Sequence, residues 1–478
     1  MNSLTPTIVW FRQDLRLSDH PALHAALQQG QPVIPLYIWD TEPAKDWRPG
    51  GAERVWLEAS LRALQQDLEA LQSRLIIRQG NTLSCLLDVA RQSGARRIDC
   101  NARYEPWARQ QQETLQRALV AEGIELRCHR GGSLIFEPDS VQTGDGKPYQ
   151  VFTPFLKKCL QALPDVQPLP VPRHIPAPVE WPDSLPVEAL ALRPRIQWDV
   201  EMRDYWQPGE IQAHLLLQHF ISQKQDTYAE ARDIPSIDGT SRLSPYLSHG
   251  EISARQIWHA VSEDGKRSGH AFLREIAWRE FAYHVLYHFP HTTDRALKPK
   301  FNQLPWQLKE EWLERWHQGQ TGYPIVDAGM RQLWRIGWMH NRVRMIVGSF
   351  LTKDLLISWQ DGARWFWDTL VDADLAQNSL NWQWVAGSGA DAQPFFRIFN
   401  PITQGKKFDP DGTYIRRWVP ELAQLPAKYI HSPWEAPPLV LLQAGITRGQ
   451  TYAEPIVDHA TARNKALSVY KSIAEQPV

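Results

Sequence analysis

The chain has 478 residues, of which 43% are hydrophobic and 22% are charged, and its formal net charge at pH 7 is -1. This composition excludes a fibrous or intrinsically disordered protein, and the length favours two domains over a single core. A nearly neutral chain also lacks a uniformly basic surface, although basic residues can still cluster on one face and contact nucleic acid.

No apolar run is long enough to span a membrane, and the N-terminus lacks the basic start and apolar stretch of a secretory signal. The four cysteines are scattered without a CxxC pair, which argues against a structural zinc site or a disulfide framework. A reducing compartment fits this usage. We therefore expect a cytoplasmic protein without membrane contact, whose cysteines are small buried apolar residues.

The first 130 residues alternate short apolar runs with amphipathic segments. The runs TIVWFRQDLRL, QPVIPLYIWD, RLIIRQG, RRIDCN and IELRCHR predict strands, and the segments between them predict helices, the longest over about 52–73. This alternation predicts a doubly wound parallel sheet, which binds ligands at the carboxyl ends of its strands. No GxGxxG follows the first strand, so the dinucleotide fingerprint is absent there.

The residue pattern changes after the predicted sheet. The segment 131–205 is rich in proline and keeps no regular period, which predicts an extended connector. From residue 206 to the end the pattern is almost entirely helical. The sequence therefore predicts an α/β domain over 1–130, a connector over 131–205 and a large all-α domain over 206–478.

The stretch DGTSRLS at 238–244 offers hydroxyls, backbone amides and one arginine just before a predicted helix. These groups suit a diphosphate, because free amides and the helix dipole favour an anion. An ordinary helix cap uses the same residue types, so this stretch alone leaves both interpretations open.

The stretch TGYPIVDAGMRQLWRIGWMHNRVRM at 321–345 interleaves basic and aromatic residues. Its arginines are predicted to lie near one another on consecutive helical turns, and they are Arg331, Arg335, Arg342 and Arg344, with Trp334 and Trp338 between them. Such a surface can grip phosphates and stack bases, although ordinary helix packing brings the same residues together.

The stretch LVDADLAQNS at 370–379 places Asp372, Asp374 and Asn378 close together, so that two carboxylates and an amide could face one heterocycle. No histidine completes a metal-ligand set, and a metal site is not expected. The chain also holds 22 tryptophans. Most are expected to pack in the core, but tryptophan also serves for stacking and for carrying electrons.

From VWFRQDLRL through DGTSRLS, AWREF, TGYPIVDAGMRQL, GWMHNRVRM, DADLAQN and FRIFNP, the chain resembles the photolyase/cryptochrome family, with the motifs in the family's order. Within the family it is most similar to bacterial cyclobutane pyrimidine dimer photolyases. The resemblance implies a deoxyribodipyrimidine photo-lyase, a carbon–carbon lyase that repairs dimers with light by electron transfer from excited reduced FAD. The alternative is a cryptochrome-type blue-light photoreceptor without repair activity.

The resemblance implies that the helical domain holds FAD. The residues implied to hold its phosphates are Tyr228, Thr240, Ser241, Arg242, Leu243 and Ser244. Those implied to line the rest of the pocket are Trp278, Arg279, Asn341, Arg344, Asp372, Asp374 and Asn378. Asn378 would face the flavin N5, where plant cryptochromes typically carry Asp, and the amide therefore favours repair.

The resemblance also implies contacts with a dimer that has left the DNA stack. The residues implied are Glu275, Trp278, Asn341, Arg342, Met345 and Trp384. Met345 stands where photolyases of the (6-4) photoproduct use a histidine, which argues against that substrate. Glu275 and Asn378 are the candidate catalytic groups, and Trp382, Trp359 and Trp306 match the family's electron-transfer chain to the surface.

An antenna chromophore is implied for the N-terminal domain, either a folate (methenyltetrahydrofolate) or a deazaflavin. In well-known folate-binding members an Asn-Glu pair follows the YE of the RYEPWARQ motif, whereas this chain has Trp107 and Ala108 there. Glu105 and Trp107 remain as candidate antenna contacts. The implied partner is DNA containing a pyrimidine dimer, bound by a monomer.

Overall fold

The computed structural model describes residues 5–263, 269–391 and 397–474, so the motif FRIFNP begins outside the described residues, at position 396. Within these ranges the chain forms two compact units. The first takes its residues from Met1–Asp226, Ser241–Pro290 and Val371–Ala376, and the second from Thr227–Thr240, His291–Leu370 and Gln377–Val478. The predicted domain boundaries near 130 and 205 stay a prediction.

The first unit contains a five-stranded sheet in the order β3-β2-β1-β4-β5, and every neighbouring pair is parallel. The strands are β1 (Thr7–Phe11), β2 (Val33–Trp39), β3 (Ile76–Gln79), β4 (Arg97–Asn101) and β5 (Glu125–His129). The chain starts in the middle of the sheet, winds to one edge and then crosses to the other. The predicted doubly wound α/β fold is confirmed.

The helices follow in chain order. They are α1 (Pro21–Leu27), α2 (Gly51–Ala70), α3 (Thr82–Ser93), α4 (Pro106–Ala121), α5 (Phe152–Gln161), α6 (Val200–Tyr205), α7 (Glu210–Gln223), α8 (Tyr228–Ala231), α9 (Ser244–His249), α10 (Ala254–Glu263), α11 (Gly269–His288), α12 (Glu310–His317), α13 (Pro324–Ile336), α14 (Asn341–Ser349), α15 (Trp359–Thr369), α16 (Leu375–Ala386), α17 (Pro401–Phe408), α18 (Thr413–Trp418), α19 (Pro438–Gln443) and α20 (His459–Ala474). The helical character predicted after residue 206 is confirmed.

Helices cover both faces of the sheet, which explains why its strands are apolar without alternation. All five residues of β1 are buried. On one face Val9 and Phe11 pack with apolar residues of α1 and α2, and on the other Ile8 and Trp10 pack with residues of α3 and α4. The apolar runs seen in the sequence are therefore the two-sided core of the first unit.

The segment predicted as an extended connector is irregular over most of its length, but it includes α5. Phe152, Phe155 and Cys159 are buried on one face of this helix. The helix packs against α11. The connector therefore contributes core side chains to the first unit.

In the second unit, the stretch 321–345 is divided between two helices. Helix α13 ends at Ile336 because Gly337 takes a left-handed conformation (φ 65°) that closes the helix. His340 caps α14, and its side chain accepts a hydrogen bond from the Arg342 N–H. The stretch therefore carries its arginines on two helices, with Arg331 and Arg335 one turn apart on α13 and Arg342 and Arg344 on α14.

A π-helical turn, Phe350–Asp354, continues α14. Among the described residues, no helix combines the length and the apolar character that crossing a membrane would require.

Candidate functional site

The two aspartates of the DADLAQN motif lie on a short segment of the first unit, Val371–Ala376. The Tyr283 hydroxyl of α11 donates a hydrogen bond to Asp374 (2.7 Å), and the Ser248 hydroxyl of α9 donates one to the Ala373 carbonyl (2.6 Å). Asp372 is buried. Both carboxylates are thus presented from a segment fixed by hydrogen bonds on either side.

Arg279 is the buried cation beside this segment. Its guanidinium donates to the Ser133 carbonyl (2.9 Å) and lies 4.9 Å from the centroid of the Tyr283 ring. Burial opposes its charge, but Tyr283, Asp374 and Glu280 outweigh that effect and raise the pKa of Arg279 above its ordinary value. The first unit therefore offers a permanent positive charge next to a carboxylate.

Trp278 and Glu275 lie one helical turn apart on α11, so they share a face of that helix. The indole of Trp278 stacks on Phe152 of α5 with ring centroids 3.7 Å apart and an angle of 9° between the planes. Glu275 and Trp278 are both half-buried. The stacked pair holds the Trp278 ring rigid as a flat platform.

The DGTSRLS stretch turns sharply before α9, with Arg242 in the left-handed region (φ 55°). Leu243 is 1% exposed and its side chain is an anchor in the core, so only its backbone is suited to a ligand. Thr240 and Ser241 are half-buried and Ser244 is exposed. Tyr228, implied to hold the same phosphates, is buried at the start of α8 under the Arg232 guanidinium.

Arg342 of α14 is held by three neighbours in the second unit. It forms an ion pair with Asp233 (2.8 Å), its guanidinium lies 4.4 Å from the Phe408 ring centroid, and one nitrogen lies 3.8 Å from the Met345 sulfur. These contacts fix the direction of the side chain before any ligand arrives.

Asn341, the first residue of α14, is exposed, while Arg344 and Met345 are half-buried. The Arg344 Nε–H donates to the Met339 carbonyl (2.7 Å) and its guanidinium lies 5.9 Å from the Trp338 ring centroid. Three of the polar residues implied for cofactor and substrate, Asn341, Arg342 and Arg344, thus lie in the first turn of α14.

Arg331 and Trp334 depart from the predicted phosphate-gripping surface. Arg331 forms an ion pair with Glu421 (2.7 Å) and donates to the Gly319 carbonyl (3.0 Å), so its charge serves local structure. Trp334 is 46% exposed and stacks against Trp365. Of the basic residues in 321–345, Arg342 and Arg344 lie on α14, and Arg331 and Arg335 lie on α13.

Asn378 lies on α16 and is 9% exposed. Its side-chain nitrogen donates a hydrogen bond to the Ala363 carbonyl of α15 (3.0 Å). This contact fixes which end of the amide faces α15, and an amide has a second N–H and a carbonyl oxygen with which to meet a ligand. Within the described ranges, no group of three or more His, Cys, Asp or Glu residues is arranged to hold a metal.

Of the three tryptophans implied to carry electrons, two are buried and the last is only half-buried. Trp382 is 4% exposed, Trp359 is 2% exposed, and Trp306 is half-buried against an apolar cluster that includes Phe301 and Ile473. Trp382 meets Phe366 edge-on with ring centroids 5.0 Å apart. Trp384, two residues further along α16, is half-buried.

The antenna candidates lie after β4. Glu105 is buried, and its carboxylate is bound by Arg103 through two nitrogens at 2.6 and 3.1 Å. The Arg103 guanidinium also lies 4.8 Å from the Trp107 ring centroid. Burial works against the charge of Glu105, but Arg103 outweighs it and lowers the pKa of that carboxyl. Glu105 therefore holds Arg103 in place. Of the two antenna candidates, Glu105 and Trp107, Trp107 is the better placed to contact a chromophore.

Several contacting residues escaped the sequence-based prediction. Phe152 lies in the proline-rich segment, where no motif marks it as the partner of Trp278. Asp233 and Phe408 are far in sequence from Arg342, and Tyr283 carries no motif of its own. For Tyr283 alone the helical spacing offers a signal, because this residue lies one turn beyond Arg279 on the same predicted helix.

The residues present fit a flavin dinucleotide by their chemistry. The first unit carries hydroxyls, a buried arginine and fixed carboxylates, which suit phosphates, ribityl hydroxyls and ring N–H groups. Within the second unit, Asn378 presents an oriented amide, and the first turn of α14 is polar.

Two family models match the chain. Residues 7–175 match the model described as DNA photolyase, and residues 272–472 match the one described as FAD binding domain of DNA photolyase. The deoxyribodipyrimidine photo-lyase of Agrobacterium fabrum is 47% identical over 478 residues, covering 98% of each chain.

The chain belongs to the DNA photolyase/cryptochrome family. Cryptochrome-2 of Arabidopsis thaliana is 41% identical and covers 97% of this chain and 78% of its own length. The crystal structure of a bacterial class III photolyase from Agrobacterium tumefaciens superposes with a TM-score of 0.95 at 46% identity, over 100% of this chain and 99% of that one. The predicted family, the predicted fold class and the predicted enzyme class of DNA photolyase are confirmed, and the chain carries that family's FAD-binding domain.

Proposed function

We propose that this photolyase-family protein repairs cyclobutane pyrimidine dimers in DNA with light. The observation that carries the proposal is the oriented amide of Asn378, which stands where the resemblance places the flavin N5. An amide meets that atom without adding a charge, and this suits an anionic reduced cofactor. Reduced FAD, when bound, would supply light-driven electron transfer to and from the dimer.

The cofactor contacts follow from the resemblance and from the local chemistry. The backbone and hydroxyls of 240–244 bind the diphosphate, and Tyr228 supports them. Arg279, Asp372 and Asp374 bind the remaining polar edge, with Tyr283 keeping Asp374 in place (2.7 Å). Asn341 and Arg344 complete the set from α14.

The proposed substrate contacts combine flat aromatic rings with polar side chains. A dimer that leaves the base stack of the DNA loses little stacking energy, because its damaged bases are poorly stacked. Trp278, held flat by Phe152, stacks on one pyrimidine, and Trp384 offers a second aromatic face. Glu275 hydrogen-bonds the base edges, Asn341 and Arg342 bind polar groups, and Met345 fills the remaining space.

The three tryptophans Trp382, Trp359 and Trp306 carry electrons inward when the cofactor is oxidised. Their burial supports Trp306 as the outermost member, since Trp382 and Trp359 are shielded and Trp306 is half-buried. For the antenna we propose a folate or a deazaflavin, with the Trp107 ring as a stacking surface. The absorption spectrum of the chromophore that copurifies with the protein, compared between wild type and Trp107→Ala, tests that assignment.

The experiment that tests the proposed function uses purified, chemically reduced protein and an oligonucleotide with one thymine dimer. Dimer loss under blue light and none in the dark is the expected result. An oligonucleotide with a (6-4) photoproduct serves as the control and stays unrepaired. If cofactor absorption is normal but neither lesion is lost, the repair assignment is wrong and a photoreceptor role becomes the better one.

A further inference from the structure

Cys100 and Cys128 are distant in sequence but adjacent in the sheet of the first unit. They are direct partners in the parallel pairing of β4 with β5, so their side chains leave the same face. Their sulfur atoms are 3.3 Å apart, within hydrogen-bonding distance. The remaining cysteines, Cys85 and Cys159, are free thiols as well.

The backbone already has the geometry of a disulfide. Neighbouring strands lie about 4.7–4.9 Å apart, inside the Cα separation of about 4.4–6.8 Å that a disulfide spans. The sulfurs need to approach by only about 1 Å to reach bonding distance. Because β5 is the outer strand of the sheet, its side chains can shift by this amount without moving the core strands.

The two thiols differ in exposure and in charge. Cys100 is buried, whereas Cys128 is half-buried and lies at the exposed edge of the sheet. The hydrogen bond with Cys100, together with Arg12 and His129 nearby, lowers the pKa of Cys128 despite burial. The same hydrogen bond, together with burial, raises the pKa of Cys100. Cys128 is therefore the attacking thiolate and Cys100 the thiol that resolves.

We propose that Cys100 and Cys128 form a reversible oxidation site, at which a hydroperoxide converts the two thiols into an intramolecular disulfide across β4 and β5. The Cys128 thiolate attacks one peroxide oxygen, which forms a sulfenic acid and releases hydroxide. The Cys100 sulfur then attacks the Cys128 sulfur, which forms the S–S bond and releases the oxygen as water. Each sulfur loses one electron and the peroxide O–O bond takes up both.

Hydrogen peroxide and the reduced full-length protein test this site. Thiols are counted with a maleimide after denaturation, and peptides from non-reduced digests are identified by mass spectrometry. The chain has four cysteines, and the expected result is a fall from four reactive thiols to two, with a Cys100–Cys128 peptide that dithiothreitol removes. Because this measurement uses the wild type, it does not depend on whether a variant folds.

Single variants then assign the roles. Cys100→Ser should leave a sulfenic acid on Cys128 that dimedone traps, and Cys128→Ser should abolish the reaction at both positions. Cys85→Ser is the matched control, a half-buried cysteine of the same unit whose pKa burial raises. A disulfide through Cys85 or between two molecules, or four thiols remaining after peroxide treatment, overturns the proposal.

Discussion

The indole of Trp382 lies directly against the backbone of Gly362. A methyl group at Gly362 would be 2.6 Å from the Cζ3 atom of that ring and 2.7 Å from a Leu351 methyl carbon. Gly362 is a helical residue of α15 without a positive φ, so the glycine is required by space and not by backbone conformation. The absence of a side chain at Gly362 therefore sets where the Trp382 ring sits.

Gly362→Ala should displace the Trp382 ring and slow light-driven reduction of oxidised FAD at least several-fold. Alanine favours a helix by up to about 1 kcal/mol over glycine, but the overlap outweighs this gain and typically costs about 1–3 kcal/mol. Time-resolved absorption of the cofactor measures the rate. Gly348→Ala is the control, because its methyl group would lie 3.4 Å from the same ring and should change the rate little.

Trp382→Phe should abolish photoreduction of oxidised FAD while leaving repair by chemically reduced protein nearly intact. The ring stays aromatic and buried, but phenylalanine is much harder to oxidise than tryptophan. Photoreduction and repair are measured on one preparation, so that the supply of electrons is tested separately from repair. Trp418→Phe, at a site of similar burial in the second unit, controls for the loss of an indole. Unchanged photoreduction in Trp382→Phe would remove this residue from the relay.

Asn378→Asp should destabilise the protein increasingly as the pH rises. The new carboxyl replaces an N–H that donates to the Ala363 carbonyl, so an ionised group would face a carbonyl oxygen 3.0 Å from the lost nitrogen. Burial and that oxygen raise the pKa of the aspartate in the folded state. Its stability contribution is then greatest below the unfolded pKa and is lost as pH rises towards the folded pKa.

Melting temperature measured against pH tests this variant, and the deficit relative to wild type should reach about 1–3 kcal/mol at neutral pH. Repair by the reduced protein should also fall, because a charge beside the flavin opposes its anionic form. Asn381→Asp is the matched control, since Asn381 lies on the same helix, donates to the Gln377 carbonyl and is exposed. Equal pH profiles for the two variants would contradict the assigned burial effect.

The sequence predicts those structural features that are caused by residues close to one another in the chain. The apolar runs of β1 and β2 predict the sheet, because strands buried on both faces have no polar alternation. Gly337 ends α13 and breaks the expected row of arginines, yet isolated glycines are tolerated within helices, so the break was not visible. The stacking of Phe152 on Trp278 and the pairing of Arg342 with Asp233 join distant segments, and no local pattern encodes them.

Phe152→Leu should weaken binding to DNA that contains a pyrimidine dimer by about 2- to 12-fold. The stacked contact with Trp278 is worth about 0.5–1.5 kcal/mol beyond the area it buries, and its loss lets the platform ring turn. Binding titrations with dimer-containing and undamaged duplexes measure the effect. Phe155→Leu is the control, since Phe155 is equally buried on α5 but contacts Phe281 and His284 instead. If affinity for undamaged DNA falls by the same factor, the effect of Phe152→Leu does not arise from contact with the dimer.

Glu251→Gln should flatten the stability profile between about pH 5 and 8. Glu251 is fully buried and accepts a hydrogen bond from the Trp56 indole (3.1 Å), and burial raises its pKa to about 8. The folded state therefore keeps a proton that the unfolded state releases above about pH 4.5. The free energy of unfolding falls between about pH 5 and 8 by at most about 1.4 kcal/mol per pH unit and levels off above that.

Glutamine stays neutral and can still accept from Trp56, so the variant should melt a few degrees above wild type at pH 8.5 and close to it at pH 5. Melting temperatures in matched buffers across this range provide the measurement. Glu113→Gln, at an exposed position of α4, is the control and should track the wild type throughout. A constant offset between Glu251→Gln and wild type at every pH would mean that Glu251 is already ionised when folded, with its charge balanced by groups other than Trp56.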